Sequence, residues 1–195
     1  MNMIKAKENI SIPDRLTWLR IGMIPLILLV YYLPPYFFSH RQNFLAALIF
    51  AFASFTDWLD GYLARRLNQI TPFGSFLDPV ADKLMVVTSL LLLISLGRLR
   101  VSIAMIIIGR EITISSLREW MAKLGKSETV SVTYLGKVKT TIQMLAIFFL
   151  LYKDPIYSIR IDLLGSLTIY TATILTLWTM FDYINRSIPL IQESN

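Results

Sequence analysis

The sequence predicts an all-α membrane protein, with six membrane-spanning helices led into by a short interfacial segment. Three observations carry that expectation. Of its 195 residues, 55% are hydrophobic and only 16% are charged, whereas soluble domains carry roughly 25% charged residues. The apolar residues are gathered into long runs and do not alternate between surface and core. Those runs approach the length a bilayer demands, about 20 mostly apolar residues.

The elements follow in order. Residues 1–17 are mostly polar, with Pro13 among them, and no small-residue cleavage site follows the first apolar run. A cleavable signal is therefore not expected; residues 3–16 are expected to lie at the membrane surface. Spans are expected at about 17–38, 44–65, 79–97, 101–122, 138–153 and 163–185, the second and fourth carrying charges within the run. No internal repeat is present and the linkers are short, so residues 1–195 read as one integral membrane domain.

Charge supplies the orientation. One side of the membrane collects Lys5, Lys7, Arg15, Arg20, Arg65, Arg66, Lys123, Lys126, Lys137, Lys139 and Arg186; the other has Arg41, Arg98, Arg100, Lys153 and Arg160. The bias of eleven to five puts both termini in the cytoplasm by the positive-inside rule. The net charge is +6. Because the basic residues flank apolar runs, it points to anionic lipid and phosphorylated substrates, not to nucleic acid. The chain has no Cys and a single His, His40, which excludes disulfides and any Cys/His zinc cluster. A metal here needs oxygen ligands.

Such ligands are concentrated between residues 57 and 82. The stretch reads Asp57-x-x-Asp60-Gly61-x-x-Ala64-Arg65, then eight residues to Gly74, then x-x-x-Asp78-x-x-x-Asp82. Spacings of three and four put each aspartate pair on one face of a helix. Thr71-Pro72 and Gly74 suit a break and reversal between the two helices. Four carboxylates brought together beside lipid repel strongly. Oxygen-only donors favour Mg²⁺ or Mn²⁺, and two ions about 3.5–4 Å apart would clamp a phosphoryl group. Gly61 and Ala64 leave a slot one turn apart on this face, and Arg65 is a planar donor suited to phosphate.

This eight-position pattern resembles the signature of the CDP-alcohol phosphotransferase family. The similarity continues through Ile12-Pro13-x-x-Leu16-Thr17-x-x-Arg20, Gly109-Arg110-Glu111-Ile112, Leu117-Arg118-Glu119-Trp120 and Gly136-Lys137-Val138-Lys139-Thr140, covering about residues 10 to 185. Those stretches are most similar to bacterial members that use sn-glycerol 3-phosphate as acceptor. The resemblance implies a six-helix bundle in the bacterial inner membrane, usually a homodimer, with a polar cavity open to the cytoplasm. It implies metal ligation by Asp57, Asp60, Asp78 and Asp82, with Asp82 also the general base. Gly61, Ala64, Arg65 and Thr71 would contact the nucleotide of CDP-diacylglycerol, and Pro13 to Thr17 would cover it. The reaction would yield phosphatidylglycerophosphate and CMP.

Glycerol 3-phosphate also needs cations for its phosphate. Arg110 lies inside the fourth span, where an unpaired cation is costly; it binds phosphate or pairs with a motif aspartate or Glu111. Arg118, two turns later, binds phosphate or anchors the helix end with Glu119. Lys137 and Lys139 are two apart and point nearly opposite ways on a helix, with Lys137 favoured for the substrate. The rival readings are an inositol phosphate, serine or phosphatidylglycerol acceptor, and a cation transporter. Against the last, the acids sit at the ends of spans, and no broken pair of spans recurs in the two halves.

Overall fold

The computed structural model describes residues 12–38, 41–67, 71–123, 125 and 134–192. Among them the chain is helical: α1 (Ile12–Tyr32), α2 (Gln42–Leu67), α3 (Pro72–Ser95), α4 (Val101–Lys123), α5 (Tyr134–Tyr152) and α6 (Ile161–Gln192), with a short 3₁₀ turn at Pro35–Phe38. An isolated bridge between Ile156 and Ile159 closes the turn before α6.

The helix ends follow from local chemistry. Pro13 falls in the first turn of α1, where its missing N–H costs nothing. Residues 12–16 are therefore the start of α1 and not a separate surface element; residues 3–11 lie outside the described residues. Pro34 and Pro35 cannot donate to the helical ladder, so α1 stops at Tyr32 instead of reaching residue 38. Thr71 caps α3, its Oγ1 accepting from the Gly74 N–H at 2.9 Å, and Pro72 takes the first helical position. The break between α2 and α3 thus falls where the motif places it, but Gly74 lies inside α3. At the other end of α3, Gly97 adopts φ 66°. The Arg98 N–H reaches Leu93 O at 2.9 Å and the Gly97 N–H reaches Ile94 O at 2.9 Å, a Schellman cap that requires a left-handed residue.

Four helices are long and apolar enough to cross a membrane among the described residues, within Asp14–Tyr32, Gln42–Leu63, Leu135–Tyr152 and Ile161–Asn185. Only 28–39% of those windows is buried, so most of their apolar side chains face outward. On α2 the outward side chains are Phe44, Leu48, Phe52, Phe55, Trp58 and Tyr62, at three- and four-residue spacing down one side of the helix. An apolar exterior of this kind belongs in lipid, and the protein is a multi-pass membrane protein. The two helices outside this set, α3 and α4, carry Asp78, Asp82 and Lys83, and Arg110, Glu111 and Arg118.

The chain divides into two compact units, Met1–Val86 and Val87–Asn195. In the first, α1 packs on α2, with Ile27 and Val30 of α1 and the small residues Ala46, Ala47 and Ala53 of α2 all buried. In the second, α6 packs on α4 and α5. At the α5–α6 crossing a Cβ on Gly165 would lie 3.1 Å from the backbone nitrogen of Leu150; glycine there lets the two backbones approach. Arg98 donates to Leu150 O at 3.1 Å and Leu151 O at 2.8 Å. It thereby satisfies the exposed carbonyls that end α5.

Candidate active site

Helical spacing determines which aspartates meet. Asp57 and Asp60 lie toward the C-terminal end of α2, and Asp78 and Asp82 lie in the first half of α3. Both pairs turn toward α1, which supplies two polar side chains one turn apart, Thr17 and Arg20. Thr17 Oγ1 donates a short hydrogen bond to Asp78 Oδ1. The Arg20 guanidinium bonds three acids at once: Nη1 lies 2.8 Å from Asp57 Oδ1 and 2.5 Å from Asp82 Oδ1, and Nη2 contacts Asp60 Oδ2.

The cluster is layered. Arg20 and Asp60 are buried, their side chains 1% and 3% exposed, whereas those of Asp57 and Asp82 are 39% and 40% exposed. Among the described residues no three acidic side chains already share one ion-binding point; three of the carboxylates converge on the guanidinium. Sequence reasoning misses Arg20 as a site residue, since it enters there only through the charge bias and the outlying stretches of the resemblance. The signal that could find it is its place inside the first expected span, where an unpaired cation is costly.

The residues expected at the nucleotide fare unequally. Gly61 lies on the same stretch of α2, and a Cβ added there would meet nothing within 4 Å, so open space does adjoin the motif. Ala64 and Arg65 are in α2 and Pro13 is in α1, but their side chains lie outside the described ones. Thr71 donates to Asp14 Oδ1 at 2.8 Å while capping α3. A Cβ on Gly74 would fall 2.9 Å from Thr71 Oγ1 and collide with the Asp14 carboxylate. The motif glycine therefore makes room for the Asp14–Thr71 pair, which ties α1 to the start of α3.

The acceptor candidates lie in the second unit. Arg110 is buried in α4, with Nη1 3.2 Å from Glu111 Oε2 and Nη2 3.5 Å from Thr179 Oγ1 of α6. Lys139, only 2% exposed, brings Nζ to 3.4 Å from the same Glu111 oxygen. Lys137 is exposed on the other side of α5. The two lysines are opposed, as a spacing of two on a helix requires, but the inward position falls to Lys139 and not to Lys137. Arg118 does not pair with Glu119, which bridges to Lys123 at 3.0 Å. It donates to Tyr183 OH at 2.9 Å and lies over that ring, 5.2 Å from its centroid. Arg110 and Lys139 thus share one acid, Glu111. The buried Nε atoms of Arg110 and Arg118 have no hydrogen-bond partner.

The chain is similar to known proteins along most of its length. A family model described as CDP-alcohol phosphatidyltransferase matches residues 10–178. A CDP-diacylglycerol–glycerol-3-phosphate 3-phosphatidyltransferase of Wigglesworthia glossinidia brevipalpis is 48% identical over 177 residues, covering 90% of this chain and 93% of that protein. Proteins of the same name from Pectobacterium atrosepticum (strain SCRI 1043) and Escherichia coli (strain K12) are each 46% identical over 185 residues, covering 91% of this chain and 94% of theirs. The family match spans α1, the paired aspartates of α2 and α3 and the cationic residues of α4 and α5, and the chain belongs to the CDP-alcohol phosphatidyltransferase family.

Proposed function

We propose that this chain transfers the phosphatidyl group of CDP-diacylglycerol to sn-glycerol 3-phosphate, giving phosphatidylglycerophosphate and CMP. The relatives at 46–48% identity carry the name of that reaction. The observation in the structure that supports a phosphorylated acceptor is the cationic group of the second unit. Arg110, Lys139 and Arg118 are opposed there by Glu111 alone among the contacts described. Two buried guanidinium N–H donors also point at no partner. A phosphate dianion satisfies both the surplus charge and the idle donors.

The four carboxylates suit one or two hard divalent ions, Mg²⁺ or Mn²⁺. All donors are oxygen, and Arg20 contacts a single oxygen on each of Asp57, Asp60 and Asp82, while those of Asp57 and Asp82 stay part-exposed. When bound, such ions would neutralise charge on the diphosphate and on the departing CMP. The remaining work falls to side chains. Asp82, part-exposed at the edge of the cluster, accepts the proton of the acceptor's 1-hydroxyl as that oxygen attacks the β-phosphorus. A base so positioned is worth roughly 10²–10⁴-fold. The open space beside Gly61, with Ala64, Arg65 and Thr71, receives the cytidine diphosphate portion, and the Pro13–Thr17 segment covers it. Arg110, Lys139 and Arg118 hold the acceptor phosphate; Lys137 meets lipid phosphates.

The same reading makes α3 and α4 spans as well. At 24 and 23 residues they run about 35 Å at 1.5 Å per residue, enough for the hydrocarbon core. The six spans then form a single catalytic domain in the bacterial inner membrane, entered by a surface segment around residues 3–11. Both termini and the acids face the cytoplasm, and the protein works as a homodimer.

The deciding experiment offers purified protein CDP-diacylglycerol, Mg²⁺ and a panel of acceptors, and measures CMP release. Glycerol 3-phosphate is expected to give product. Turnover with inositol phosphate, serine or phosphatidylglycerol alone would overturn the acceptor assignment, and no CMP release with any of them would overturn the transferase reading.

A further inference from the structure

We infer that Arg20 is a built-in counter-ion and positioning residue of the acid cluster, orienting three of its carboxylates from the buried side. The proposal rests on the metal-binding reading of the aspartates but makes a separate claim. Three acids contributed by two helices contact a single guanidinium contributed by a third. Arg20 is one of the largest fully buried side chains in the protein, and Asp60 is buried with it. Its Nε has no partner, so all of its pairing runs through the two terminal nitrogens that face the acids.

The physical requirement is plain. Carboxylates this close repel one another, and an acid as buried as Asp60 is tolerated only when paired. A planar fork can hold three carboxylates in fixed directions, which a point charge on a flexible stem cannot do. Each of the three acids offers Arg20 one oxygen. The guanidinium thus orients them from the buried side, and the part-exposed faces of Asp57 and Asp82 remain turned outward. The single positive charge cancels one of four negative charges. The cluster therefore keeps a strong attraction for divalent ions while remaining compatible with the fold.

The test measures thermal unfolding of the purified full-length protein with EDTA and with Mn²⁺, for wild type, Arg20→Gln and the charge-balanced Arg20→Gln/Asp60→Asn. Breaking a buried pair costs enough to lower the melting temperature by on the order of 10 °C in a chain of this size. Arg20→Gln is expected to show that loss in EDTA, and the double variant is expected to recover most of it in EDTA. Mn²⁺ should raise the melting temperature of Arg20→Gln by more than it raises that of wild type. An Arg20→Gln protein as stable as wild type in EDTA overturns the proposal. So does a double variant that is no more stable than the single one, since Arg20 would then act by packing and not by charge. If the single variant does not fold at all, a folded double variant supports the proposal and an unfolded one overturns it. Recovery by Asp60→Asn without any response to Mn²⁺ would leave the counter-ion role standing and remove the metal reading instead.

Discussion

Asp82 and Asp57 are nearly equal in exposure and ion-pair with the same nitrogen of Arg20, which hydrogen-bonds only Asp82 of the two. The general-base role proposed for Asp82 rests on the family resemblance. It has a consequence that can be measured: Asp82→Asn should lower the rate of CMP release by roughly 10²–10⁴-fold while CDP-diacylglycerol still binds. Loss of binding in parallel with rate would make Asp82 chiefly a ligand for the metal or diphosphate. At this scale the sequence is informative wherever spacing alone settles a face. Asp57 and Asp60, and Asp78 and Asp82, turn the way helical periodicity requires. Arg20 escapes because partners such as Asp60 and Asp82 are 40 and 62 positions away, and no local pattern joins them. The available signal is its place inside an apolar run, the same reasoning that singles out Arg110. Tyr183 gives no signal; an aromatic residue near the end of a span reads as membrane anchoring or packing.

Among the elements, the start of α3 shows why the motif needs a glycine. Thr71 caps the helix and bonds Asp14 of α1, and the Asp14 carboxylate occupies the space that a Cβ at Gly74 would need. Gly74→Ala should therefore destabilise the protein by about 1–3 kcal/mol, the usual cost of overpacking, against the small gain alanine brings to an exposed helix position. Denaturation of the two proteins in the same detergent tests this; equal stability would mean that Asp14 moves aside freely. Boundaries are legible where proline or glycine acts locally, as at Pro72 and Gly97. The first apolar run reaches residue 38 only when Pro34 and Pro35 are counted in it, although neither can donate to a helix. The split between Lys137 and Lys139 follows from helical geometry. Which of them turns inward depends on Glu111, a residue of another helix.

For the whole molecule, the outward apolar faces of α1, α2, α5 and α6 make orientation the quantity to measure. The chain has no cysteine, so single cysteines can be introduced without background. Glu119→Cys and Tyr157→Cys suffice, the first near the basic end of α4 and the second fully exposed in the turn before α6. In intact cells a membrane-impermeant maleimide should label the Tyr157 site and spare the Glu119 site. The reverse pattern would invert the topology and place the acids on the wrong side for a cytosolic substrate.

By itself the sequence determined the class of the protein and the helical faces on which its acidic motif lies. Membrane-length apolar runs and the spacing of the aspartates are one-dimensional facts, and hydrophobic burial and helical periodicity translate them directly into spans and faces. Only the tertiary structure decided which charges answer one another. Arg20 with the acids, Glu111 with Lys139, and Arg118 with Tyr183 are pairings between helices far apart in the chain. They are selected by the high cost of leaving a buried charge alone.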